Sequence, residues 1–162
     1  HHARRDARLR DGDLVLLEDQ DRGLWDDGAT EAGRASLDRA LALLGRGPYV
    51  LQAAIAALHA DDPVDWREIA ALYAELARIT RSPVVELNRA VAIAEAEGPE
   101  RALEHVESLP LDEYHYFHAA RASFLKRLGR TDESRAAYER ALELAHAPHE
   151  RRFLEQRLAG LS

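Results

Sequence analysis

Proline and glycine punctuate this chain at short intervals from Gly45 onward, and the sequence between them is rich in Ala, Leu, Arg and Glu. That pattern leaves room only for short helices. Proline removes a backbone donor and clashes with the turn before it, while glycine supplies the left-handed residue that ends a helix. The best-formed unit is GRTDESRAAYERALEL, Gly129 to Leu144, followed by Pro148. Parts of its cadence recur upstream. Tyr73 precedes Pro83 by ten residues, as Tyr138 precedes Pro148, and the two pairs lie 65 residues apart. The RALAL of Arg39–Leu43 lies 101 residues before the RALEL of Arg140–Leu144.

The Gly129–Leu144 unit resembles the turn and second helix of a tetratricopeptide (TPR) repeat. The offsets are near two and three times the TPR period of about 34 residues. The resemblance implies an all-α fold: a TPR-like array of antiparallel helix pairs, an alpha-alpha superhelix of about three degenerate repeats plus flanking helices. Stacked helix pairs of this kind usually offer a surface to a partner instead of a reaction pocket.

Apolar spacing and breakers place the helices. His1–Arg10 reads as the tail of a helix, Asp11-Gly12-Asp13 as a turn, and Leu14–Leu17 as extended chain. The expected division is residues 1–25, a helix tail and extended polar segment packed on the domain, and residues 26–162, the TPR-like helical domain, making one structural domain overall. Leu37, Leu41 and Leu44 mark a stripe that Gly45-Arg46-Gly47 stops. Pro48 opens a helix to about Ala60 with Leu51, Ile55 and Leu58 inward. Asp65 is placed to cap the next, whose inward face is Ile69, Leu72, Tyr73, Leu76 and Ile79. Ser82-Pro83 is a start signal for a helix carrying Leu87, Val91 and Ala94. Gly98-Pro99 ends that helix and opens another, to about Ser108. Glu113–Leu128 holds Tyr114, Phe117, Phe124 and Leu128. Thr131 is read as the cap of a helix burying Ser134, Tyr138, Ala141, Leu142 and Ala145. Pro148 opens the last, with Phe153, Leu154 and Leu158. Ala54, Ala90 and Ala122 allow neighbouring helices to approach closely.

Composition narrows the function. No apolar run is long enough to span a bilayer, and no signal-peptide pattern opens the chain. Cysteine is absent, which excludes disulfides and thiolate metal sites. These features fit a cytoplasmic protein. The formal net charge of −7 makes the domain a poor nucleic-acid binder on its own, since such binding draws on Lys and Arg facing phosphates.

No catalytic set is legible, and the chain is not expected to be an enzyme or to carry a cofactor. His115 and His118 share one side of a helix, but a zinc site needs more ligands and no third is evident. Asp19-Gln20-Asp21-Arg22 with Trp25 is the densest polar cluster. It lacks a nucleophile or phosphate loop and reads better as a docking surface, where Trp and Arg serve as anchors. Asn88 and Arg89 lie on the first helix of a repeat. An asparagine there either pairs with the backbone of a bound peptide or bonds a neighbouring helix. Gln52 occupies a similar register 36 residues earlier. Tyr114, His118 and Arg121 complete the candidate partner-binding set. Glu150, Arg151 and Arg152 read as a solvated face.

Four segments, in order, carry a wider resemblance: DLVLLEDQDRGLWD (Asp13–Asp26), GPYVLQAAIAALHA (Gly47–Ala60), SPVVELNRAVAIAEAEGP (Ser82–Pro99) and ERRFLEQRL (Glu150–Leu158). Together they resemble the C-terminal helical extension of a group of bacterial extracytoplasmic-function (ECF) RNA polymerase sigma factors. HHARRDARLRDGD resembles the junction leading into that extension. The resemblance implies a regulatory, protein-interaction domain in transcription initiation, excised from a longer factor. Its partners would be the sigma core domains of the same protein and RNA polymerase. Promoter DNA would be reached only through regions N-terminal to this sequence, and no membrane is involved. The competing expectation is a free-standing TPR scaffold that binds a peptide or protein.

Overall fold

The computed structural model describes Leu9–Arg10, Asp13–Leu14 and residues 47–161. Their contacts divide the chain into two units, His1–Asp65 and Trp66–Ser162. The expected division after residue 25 lies outside the described residues.

In the first unit, β1 (Leu9–Arg10) pairs antiparallel with β2 (Asp13–Leu14), Leu9 opposite Leu14 and Arg10 opposite Asp13. The reading of a helix tail through Arg10 is therefore corrected at its last two residues. The intervening Asp11-Gly12 is a residue pair that favours a two-residue antiparallel connection over helix continuation. Helix α1 spans Pro48–Leu58, with proline in its first turn and Val50, Leu51, Ala54 and Ile55 buried. Leu58, expected inward, is only half-buried.

The second unit is six helices in series: α2 (Trp66–Thr80), α3 (Pro83–Ala96), α4 (Pro99–Val106), α5 (His115–Arg127), α6 (Thr131–Leu144) and α7 (Pro148–Ala159). Each packs on the next, and α3 also reaches α5. The expected breakers act at the boundaries. Ser82 Oγ accepts from the Val85 amide at 3.4 Å ahead of Pro83, and α2 begins directly after Asp65. Thr131 is the first helical residue of α6, and the cap position belongs to Arg130, whose side chain turns to Glu133 instead of the helix backbone.

Two glycines end helices by different means. At Gly129 (φ +75°) the Arg130 amide donates to the Leu125 carbonyl and the Gly129 amide to that of Lys126, both at 3.0 Å. This double bond pattern satisfies the last carbonyls of α5. At Gly98 the next residue is Pro99, which has no N–H to repeat that pattern. There the Gly98 amide reaches Ala94 at 3.1 Å, and a guanidinium from α5, Arg127 Nη2, donates to the same carbonyl at 3.2 Å.

The core of the second unit runs through α3 (Leu87, Ala90, Ile93), α4 (Ala102, Leu103, Val106), α5 (Phe117, Ala122, Phe124, Leu125), α6 (Ala137, Tyr138, Ala141) and Leu154 of α7. Ala90 and Ala122 are completely buried, so a β-methyl is all that separates their helices from their neighbours. Burying a leucine such as Leu125 contributes roughly 1.5–3 kcal/mol. An exposed pair such as Arg101–Glu104 contributes at most about 1 kcal/mol, so apolar packing, not the surface ion pairs, holds the array. Two residues expected inward are not: Ile79 is 39% and Val91 40% exposed. Helix α3 is covered by α2, α4 and α5 on several sides, and Val91 falls on the strip that remains open.

Candidate functional site

That strip is defined by helix geometry. Val84, Asn88 and Val91 stand at i, i+4 and i+7 on α3, within roughly 60° of one another around the axis. Asn88 is exposed, and the two valines are 38% and 40% exposed. Four residues beyond Val91, Glu95 accepts from Arg127 Nη1 at 3.0 Å. Arg127 is the last residue of α5, so α3 and α5 lie with their C-terminal ends together.

The opposite end of α5 is tied to α7. The Tyr116 hydroxyl donates to Glu150 Oε1 at 3.0 Å. His115 Nε2 lies 3.3 Å from the same oxygen without hydrogen-bond alignment. Both residues open α5, and Glu150 is in the first turn of α7, so these helices share their N-terminal ends. Tyr114 adds an edge-on ring to Tyr116, with centroids 5.4 Å apart, and the His115 ring is tilted over Tyr116 at 4.0 Å. Burial, the hydrogen bond to Glu150 and the carboxylate charge push the Tyr116 hydroxyl up to about 12. Burial and then Glu150 also raise Tyr114. Glu150 is therefore a half-buried anchor, and Arg151 donates to the carbonyls of Leu142 and Ala145 at 2.8 and 3.1 Å. The expectation of a solvated face is corrected for both, and holds only for exposed Arg152.

Within the second unit, the candidate residues do not converge on one point. Asn88 alone faces out from the α3 strip. Arg89 leans back on Glu86 at 3.5 Å, and Glu86 also accepts from His105 Nε2 of α4 at 2.7 Å. Tyr114 packs against the core. His118 Nε2 donates to the Asp112 carbonyl at 2.7 Å, and Arg121 Nε to Glu107 at 2.9 Å, so both brace the α4–α5 connection. His115 and His118 are thus turned to different partners. Among the described residues no group of three His, Asp or Glu side chains could hold a metal. Gln52 is exposed on α1 in the first unit. Asp19, Gln20, Arg22 and Trp25 lie outside the described residues.

Sequence reasoning missed Val84, Val91 and Tyr116, the apolar and aromatic part of the open surface. A helical wheel of α3 places the two valines beside Asn88. The Tyr116–Glu150 link, spanning 34 residues, has no local signal. No described helix is long and apolar enough to cross a membrane.

Residues 1–41 match a family described as a family of unknown function (DUF6596). An uncharacterized protein of Rhizobium meliloti (strain 1021) is 46% identical over 168 residues, which cover 99% of this chain and 40% of that protein. The chain thus spans about two fifths of the length of the curated relative it matches.

Proposed function

We propose that this chain is the regulatory, partner-holding domain of a larger bacterial factor of the ECF sigma class, with helices α2–α7 forming a TPR-like array. The observation that carries the reading is the placement of α5. It is linked to α3 through Arg127–Glu95 at one end and to α7 through Tyr116–Glu150 at the other. Alternate helices thereby meet at matching ends, α3 with α5 and α5 with α7, an arrangement that supports comparison with the first helices of successive repeats, and α3 keeps an open face. The ordered resemblance to the sigma-factor extension supports the transcriptional setting. The greater length of the Rhizobium relative fits a domain that acts on other parts of the same protein.

In this reading the domain folds against the sigma core and sets whether the factor engages polymerase. The net charge of −7 suits contact with a basic core and adds long-range attraction to it. Promoter recognition and polymerase binding belong to the core. The test is to delete this domain from the full-length factor and measure promoter-dependent transcription, alongside co-purification of the 162-residue chain with the isolated core. Changed transcription and a stable complex are expected. Unchanged transcription and no complex would leave the free-standing scaffold as the better account.

A further inference from the structure

The α2–α3 turn carries two arginines on a chain whose formal net charge is −7. At the α2–α3 turn, Arg78, Ile79, Thr80, Arg81 and Val84 are all exposed. Neither Arg78 nor Arg81 has an ion-pair or hydrogen-bonded side-chain partner among the described residues, a state shared by Arg67 and Arg135, whereas Arg89, Arg101, Arg121, Arg127, Arg130 and Arg140 are all paired.

The backbone at Arg81 is the second observation. Its φ is +50°, and it directly follows α2. Among the described residues the other positive-φ positions, after α3 and α5, are Gly98 and Gly129. An L-residue with a β-carbon is disfavoured in that conformation and glycine is not, so an arginine here gives up stability without a visible contact in return. Strained positions of this kind concentrate where a side chain is needed for binding.

We infer that the α2–α3 edge, Arg78, Ile79, Arg81 and the Val84–Val91 strip, docks an acidic amphipathic helix of a partner protein. The exposed valines at i and i+7 offer the ridge that an incoming helix packs against. The two arginines at the end of that ridge select acidic side chains flanking the apolar ones. An anionic membrane is the poorer occupant, because electrostatic attachment to lipid takes clusters of about four to eight basic residues. The inference rests on the proposal that this is an interaction domain. It is told apart from contact with a basic sigma core by the charge it selects.

The test uses the full chain and a labelled synthetic helix of leucine and glutamate at amphipathic spacing. A leucine–lysine helix of the same spacing and phosphatidylglycerol vesicles serve as the other probes. Saturable binding of the glutamate helix alone is expected, weakening with salt. Arg78→Ala and Arg81→Gly should each lower that affinity roughly two- to fivefold, the range of an exposed charge pair. Arg81→Gly should raise the melting temperature at the same time, a combination that a purely structural arginine would not give. Equal binding of both helices, no saturable binding, attachment to vesicles in preference to the glutamate helix, or unchanged affinity in Arg81→Gly would each overturn the inference. A chain that co-purifies with a sigma core but does not bind the glutamate helix overturns this inference alone, and the reverse result overturns only the sigma reading.

Discussion

The Ser134 hydroxyl donates to the carbonyl oxygen of Ala122 at 2.7 Å, and both residues are completely buried. A residue of α6 is thereby pinned to the middle of α5, where two helices meet through small side chains. Ser134→Ala removes the bond while the Ala122 carbonyl keeps its helical partner, so the expected loss is about 1 kcal/mol. Ser134→Leu must force the helices apart and should cost roughly 1–3 kcal/mol or more. Urea denaturation of the two variants checks the order. A leucine variant as stable as the alanine one would mean that the contact is looser than described.

Gly98 and Gly129 separate backbone strain from steric crowding. A β-carbon at either would meet nothing within 4 Å, so any cost of alanine is conformational. Gly129→Ala, at φ +75°, should lose about 1–2 kcal/mol. Gly98 has φ 105° and ψ 162°, a region that is nearly glycine's alone, and Gly98→Ala should lose roughly 1–3 kcal/mol. Thermal melts of the pair should therefore place Gly98→Ala lower. The reverse order would contradict the assigned backbone at Gly98.

Arg151 tests whether a long-range cap outweighs an exposed ion pair. Its Nη1 serves the carbonyls of Leu142 and Ala145, at the end of α6 where carbonyls lack helical donors. Arg151→Ala should cost about 1–2 kcal/mol, because charged donors to backbone carbonyls are among the stronger hydrogen bonds. Arg101→Ala removes only the exposed pair with Glu104 and should change stability by at most about 0.5 kcal/mol. Chemical denaturation of both variants under identical conditions gives the comparison.

The helix boundaries were legible because proline and glycine write them into the sequence. Pro48, Pro83, Pro99 and Pro148 each open a helix, and Gly129 follows the end of α5. The inward faces were legible where a helix has one buried side, as in α6 with Ser134, Tyr138 and Ala141. They failed on α3, since a helix covered from several directions buries Ala92 and Ile93 as well as Leu87, and a single apolar stripe misplaces Val91. At the candidate site, sequence spacing alone gives the position of Asn88 on the helix, and the structure adds that it is exposed. Pairings such as Arg121–Glu107 and Tyr116–Glu150 depend on which helices become neighbours, and local sequence carries no record of that.

Tyr116 supplies a pH test of the α5–α7 link. Its hydroxyl is pushed from 10.0 up to about 12, chiefly by burial, then by the hydrogen bond to Glu150 and by that carboxylate's charge. The folded state therefore holds the Tyr116 proton more tightly than the unfolded chain does. Below pH 10 both states are protonated and the link contributes fully. Between about pH 10 and 12 the unfolded chain releases the proton first, so stability falls across that window. Tyr116→Phe removes this component of the pH dependence but not that of Tyr114, which is also raised. Glu150→Ala removes the acceptor and the charge while leaving Tyr116 in place. Its titration, followed by tyrosinate absorbance against the Tyr116→Phe variant, should then move down toward the ordinary value. A Tyr116 titration that stays near 12 in Glu150→Ala would show that burial and the neighbouring Tyr114, not Glu150, set it.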